Sequence, residues 1–129
     1  MNRYLATLAT FAVLAFATAQ DTPLVELFAM SAANEMNGIM TDCPVQLDDE
    51  QACFRHELGV AWARMDWESL VQSYSDLEWF VPWVQADDGH EHMSRIIRKT
   101  SAPEGFYAVL LAPWGDYHAL VVVVKMDLE

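Results

Sequence analysis

Apolar positions are densest between residues 105 and 126, where two runs flank a short turn. The runs 106–111 and 117–124 consist mostly of aromatic and β-branched residues, which favour strands. The segment APWGD between them contains proline and glycine, the residue types that turns prefer. The pattern predicts a β-hairpin. Because both sides of its strands are apolar, we expect it at the centre of the fold and covered on both faces.

Helical spacing of apolar residues dominates the preceding part of the chain. A first helix is predicted to start at Thr22-Pro23 and to weaken at Asn37-Gly38, with Leu24, Leu27, Phe28 and Met30 on its apolar stripe. A second is predicted from Asp48 through Met65, interrupted by Gly59, and a third from Asp66. The third has the cleanest stripe, formed by Trp67, Leu70, Val71, Tyr74 and Leu77.

Between the predicted helices and the hairpin, the pattern changes to the two-residue alternation that is typical of strands. Residues 78–85 contain Pro82, which cannot donate to a ladder, so they are expected at a sheet edge. Residues 93–100 read as a half-buried strand. The predicted fold class is therefore α+β, with N-terminal helices packed on a three- to four-stranded antiparallel meander.

The first residues have the pattern of a secretory signal peptide. Arg3 gives a positive start, residues 5–16 are apolar, and Ala17-Thr18-Ala19 forms a small-residue cleavage site. The apolar run is shorter than the roughly 20 residues of a transmembrane helix. We therefore expect a signal peptide over 1–19, a single domain over 20–129, secretion or periplasmic export, and no stable membrane anchor.

Export changes the interpretation of the two cysteines. In an oxidising compartment Cys43 and Cys53 are expected to form a disulfide bond. Their spacing is not that of a CxxC motif, which argues against a thiol pair for redox or metal chemistry.

The charge is strongly negative, with 19 acidic and 7 basic side chains and a net charge of −12. Such a surface disfavours nucleic acid and anionic membranes as partners. It suits solubility, a basic partner or a cation.

Catalytic motifs are missing from the sequence: it contains no GxSxG elbow, no HExxH and no phosphate-binding loop. His56 is predicted on a solvated helix face and His118 at the edge of the core. A small hydrolase-like enzyme remains one alternative, and it requires one of these histidines to meet a carboxylate within hydrogen-bond reach.

The chain has five tryptophans, several of them near turns. Trp79, Phe80, Trp83 and Trp114 lie beside turns or in the predicted edge strand. They either cover the second face of the sheet or form a patch for a protein segment, an apolar ligand or a glycan. A sheet face left bare would instead favour a homodimer through the sheet.

A second alternative is a small metal-binding accessory protein. In the turn DDGHEH, His90 and His92 would share a strand face about 7 Å apart, and Asp88 could add an oxygen ligand. Such ligands suit Zn²⁺ or Cu²⁺, although a solvated turn has the same composition.

Taken together, these patterns favour a non-catalytic secreted or periplasmic binding domain that presents an acidic surface and an aromatic patch to a partner. They identify neither the partner nor a cofactor.

Overall fold

A computed structural model of the chain describes residues 23–47, 50–85, 92–102 and 104–127. Two helices accompany one seven-stranded sheet in these ranges. The helices are α1 (Leu24–Glu35) and α2 (Val60–Ser73). The strands are β1 (Ile39–Thr41), β2 (Gln51–His56), β3 (Leu77–Trp79), β4 (Val84–Gln85), β5 (Met93–Lys99), β6 (Gly105–Trp114) and β7 (His118–Met126).

The sheet is antiparallel throughout, in the order β1-β2-β7-β6-β5-β3, and β4 also pairs with β5. The predicted hairpin is confirmed as β6 and β7, which lie at the middle of this order. Leu111 pairs with Val121, and Leu110 pairs with Val122. Val109, Leu111, Leu120 and Val122 are buried, as their pattern predicts.

The predicted three- to four-stranded meander under N-terminal helices is wrong. Residues 51–56, which were assigned to a helix, form β2 and pair with β7 along their whole length. Gly59 has a φ of 102°, a conformation that favours glycine. It lies in the connection between β2 and α2, which begins at Val60. The helix then continues through Asp66 to Ser73, so Asp66 is not the N-cap of a separate third helix.

Both helices pack on the same face of the sheet, which we call the helix side. Phe28 of α1 stacks on Tyr107 of β6 with 4.6 Å between ring centroids. The buried positions of α1 are Val25, Ala29, Ala32 and Ala33. The predicted apolar stripe was therefore partly wrong, because Leu24, Leu27 and Met30 are exposed. Small side chains let the helix backbone approach the sheet closely.

The predicted disulfide is confirmed. Cys43 and Cys53 are bonded, with 5.2 Å between their Cα atoms. The bond ties the 42–47 loop to β2. Gln51 supports the same loop, because its side-chain oxygen accepts from the Leu47 N–H and its side-chain nitrogen donates to the Val45 carbonyl, each at 2.7 Å.

Neither of the described helices is long and apolar enough to cross a membrane. They contain 12 and 14 residues, and each buries one side against the sheet.

Candidate functional site

The sheet has a second face, turned away from both helices, which we call the open face. Alternation along β5, β6 and β7 places an apolar centre there, formed by Ile96, Phe106, Ala108, Leu110, Ala112, Leu120, Val122, Val124 and Met126. Of the described segments, the disulfide loop contributes Cys43, which packs with Cys53, Leu120 and Val122. Neither described helix covers the rest of this face.

Charged side chains lie at the two ends of the open face and are paired there. At one end, Arg55 donates to Glu57 at 2.9 Å, and His118 Nε2 lies 3.6 Å from the same carboxylate. At the other end, Arg98 donates to Glu104 at 3.0 Å. The apolar centre between these ends is about 20 Å long, as six strand residues span that distance.

The predicted aromatic patch is divided between the two faces of the sheet. Phe80 contacts Phe106 edge-on, with 5.0 Å between ring centroids, and so joins the open face. Trp114 is on the same face but pairs with His118 at the far end of β6, about 26 Å from Phe106 at roughly 3.3 Å per residue. The four residues therefore do not form one patch.

Trp79 and Trp83 lie together on the helix side, with 5.3 Å between ring centroids. The Arg95 guanidinium lies over the Trp79 ring at 4.1 Å from its centroid. Trp79 and Arg95 border a pocket of about 420 Å³ beside α2. Alternation along 93–100 puts Arg95 on the same side of the strand as Ile97, and because Ile97 is buried under the helices, Arg95 also faces the helix side.

The structure places His56 in the core rather than on a solvated helix, so that prediction was wrong. Its side chain is buried on β2, in line with Ala52 and Phe54. The Leu58 N–H donates to His56 Nδ1 at 3.1 Å, so Nε2 carries the proton and donates to Asp66 at 2.6 Å. Both ring nitrogens are engaged in structural bonds that connect β2 to α2.

His118 is half-exposed on β7, at the edge of the core as predicted. Its 3.6 Å separation from Glu57 is longer than a hydrogen bond. His56 and Asp66 do have hydrogen-bond geometry, but this pair is closed to substrate because the histidine is only 1% exposed.

Two of the three predicted metal ligands, His90 and Asp88, lie outside the described residues. His92 immediately precedes β5 and is half-buried. Within the part of the chain that the structure describes, no group of three or more His, Cys, Asp or Glu side chains is arranged to hold a metal ion.

A second group of apolar side chains is exposed on and beside α2: Leu58, Trp62 and Met65. They are exposed because α2 turns Val60, Ala63 and Trp67 toward the sheet instead.

No known protein family, curated protein or solved structure matches this chain.

Proposed function

We propose that this chain is an exported, non-catalytic binding module that holds an apolar protein segment on the open face of its sheet. The observation that carries the proposal is the apolar face formed by β5, β6 and β7, on which Leu120 and Val122 are buried beside the disulfide loop and the surrounding apolar side chains are partly exposed. Large exposed apolar patches are uncommon on monomers and mark interaction sites.

Side-chain composition supports a binding role for this face. Phe106 with Phe80 provides an aromatic anchor of the kind found at interface hot spots. The charged groups at the two ends, Arg55 with Glu57 and Arg98 with Glu104, would form a polar rim around an apolar centre.

Charge decides which kind of partner this face favours. A molecule with a net charge of −12 attracts a cationic partner and repels an anionic one. We therefore propose a partner segment with an apolar face flanked by basic residues. A second copy of the chain fits less well, because two acidic molecules repel each other.

Export is part of this proposal and is supported by two features. The N-terminal residues have the pattern of a signal peptide, and the disulfide belongs to the chemistry of oxidising compartments.

A designed amphipathic peptide tests the partner chemistry. One peptide carries lysines beside its apolar face, and a matched peptide carries glutamates instead. Isothermal titration calorimetry should show binding of the lysine peptide only, weakening as salt rises because screening reduces the attraction.

Two matched protein variants locate the site. Leu110→Glu puts a charge in the centre of the open face and should abolish binding. Met65→Glu puts the same charge on exposed α2 and should leave binding unchanged. Circular dichroism confirms that each variant is folded. Loss with Met65→Glu alone would move the site to α2, and equal binding of both peptides would refute the charge argument.

Analytical ultracentrifugation tests whether a second copy of the chain occupies the open face instead. A stable dimer that Leu110→Glu dissociates would show that a second copy covers the open face, and it would overturn the proposal of a basic partner.

A further inference from the structure

A separate cavity lies on the helix side of the sheet, between α2 and the edge where β3 pairs with β5. Its volume is about 420 Å³, within the range of roughly 300–1,000 Å³ typical of small-molecule sites. The lining residues are Glu68, Val71, Gln72, Trp79 and Arg95. One cation, one carboxylate, one amide and two apolar side chains thus line a single pocket that is open to solvent.

Arg95 is the unusual member of this group. It is half-buried, its Nε–H donates to the Val81 carbonyl, and its guanidinium is stacked over Trp79. Burial lowers the pKa of Arg95, the nearby Glu68 partly opposes this, and Arg64 adds to it. Among the described residues, no carboxylate lies within the 4.0 Å of an ion pair with Arg95. In so acidic a chain, a stacked arginine without such a partner is suited to receiving an anion.

Glu68 provides an oppositely charged position in the same cavity. Its Oε2 accepts from Trp83 Nε1 at 3.0 Å and from Arg64 Nε at 3.4 Å. Both bonds go to the same oxygen and hold the carboxylate in place. A ligand that brings a hydrogen-bond donor would therefore meet a positioned acceptor.

We propose that this cavity binds a small apolar carboxylate that also carries an ammonium or amide N–H group. The ligand carboxylate lies against Arg95, its N–H group faces Glu68, and its apolar part contacts Val71 and Trp79. Gln72 can donate to or accept from the polar end. This site is on the opposite side of the sheet from the open face and does not depend on the function proposed for that face.

The test uses leucine and two analogues that each lack one charged group. Leucinamide has no carboxylate and 4-methylpentanoate has no ammonium. Titration calorimetry should detect leucine, with affinity for each analogue lower by about 10- to 100-fold, the loss expected from one charged hydrogen bond. No detectable binding of leucine at millimolar concentration, or equal binding of all three, would overturn the proposal.

Variants on one strand provide the control. Arg95→Gln removes the cation facing the cavity and should weaken leucine binding by about tenfold or more. Arg98→Gln removes the same charge from β5 but on the open face, and it should bind like the wild type.

A second variant tests the site independently, so that the conclusion does not depend on whether Arg95→Gln folds. Gln72→Trp changes an exposed position on α2 and fills the cavity without altering Arg95. It should abolish leucine binding while the circular dichroism spectrum is retained. Unchanged binding in either Arg95→Gln or Gln72→Trp would contradict the proposed site.

Discussion

His56 is a buried polar side chain whose two nitrogens are both satisfied. A buried imidazole without partners would be costly, and here the Leu58 N–H and the Asp66 carboxylate remove that cost. The bond to Asp66 joins β2 to α2, two elements that are separated by only a short turn. The residue therefore contributes to the orientation of the helix on the sheet.

Replacement of Asp66 should show the strength of this connection. Asp66→Ala leaves the buried Nε2–H without an acceptor and should lower the free energy of unfolding by about 1–3 kcal/mol. Asp66→Asn keeps an acceptor oxygen and should cost less. Urea denaturation measures both, and equal losses would show that the hydrogen bond does not contribute.

The raised pKa of Tyr107 gives a prediction for how the free energy of unfolding changes at alkaline pH. Burial raises the pKa of Tyr107 above its ordinary value of 10.0, and the nearby Glu50 raises it further. The unfolded chain therefore loses this proton first, and the stabilising effect present below pH 10 is lost as pH rises through the raised pKa.

The matched variant is Tyr107→Phe, which keeps the ring packed on Phe28 but cannot ionise. Its unfolding free energy should fall less steeply than that of the wild type between about pH 10 and 12. Thermal denaturation across this range provides the measurement, and parallel slopes would exclude Tyr107 as the cause.

At the scale of elements, the β6–β7 hairpin organises the sheet because both of its strands have a second neighbour. β5 pairs with β6, and β2 pairs with β7. Its helix side holds Tyr107, Val109, Leu111, Val121 and Val123, which are all buried. Damage to this hairpin should therefore affect the whole sheet.

Leu111 tests that expectation. It is 1% exposed, and truncation to alanine should lower the unfolding free energy by about 2–5 kcal/mol through lost burial and the resulting cavity. Leu24→Ala is the control, since this leucine is 48% exposed on α1 and its truncation should have little effect. Similar losses for both variants would show that the hairpin is not the centre of stability.

The disulfide acts on one element, the loop between β1 and β2. The bond spans 10 positions in sequence, and loops of this size contribute about 2–4 kcal/mol by restricting the unfolded chain. The Cys43→Ser/Cys53→Ser double variant should lose about that much stability. Mass spectrometry after alkylation without reduction should find no free thiol in the wild type, and two alkylated cysteines would refute the bond.

At the scale of the whole molecule, charge opposes the compact state. A net charge of −12 on 129 residues produces self-repulsion that salt screens. The melting temperature should therefore rise when sodium chloride is increased from about 10 to 150 mM, over which the Debye length falls from about 30 to 8 Å. A fall over this range would mean that the surface ion pairs outweigh the repulsion.

The sequence by itself determined the features that depend on local chemistry. The hairpin followed from strand-forming residues around a Pro/Gly turn, and α1 ended near Asn37-Gly38 as predicted, because these signals act between neighbouring residues. The disulfide was predicted because the chain has only two cysteines, and their spacing allows a bond that closes a short loop. Segment 78–85 does lie at the edge of the sheet, where β3 and β4 both pair with β5, and Pro82 itself lies between these two strands and belongs to neither.

Only the tertiary structure decided the state of residues 51–56, the faces of the aromatic residues and the surroundings of Arg95. The apolar residues of segment 51–56 fit both helical and strand spacing, because the segment is short. Its partner β7 lies about 70 residues away in sequence. Phe80 and Trp79 are neighbours in sequence but contact opposite faces of the sheet. Such contacts are fixed by strand pairing between distant segments, which local patterns do not contain.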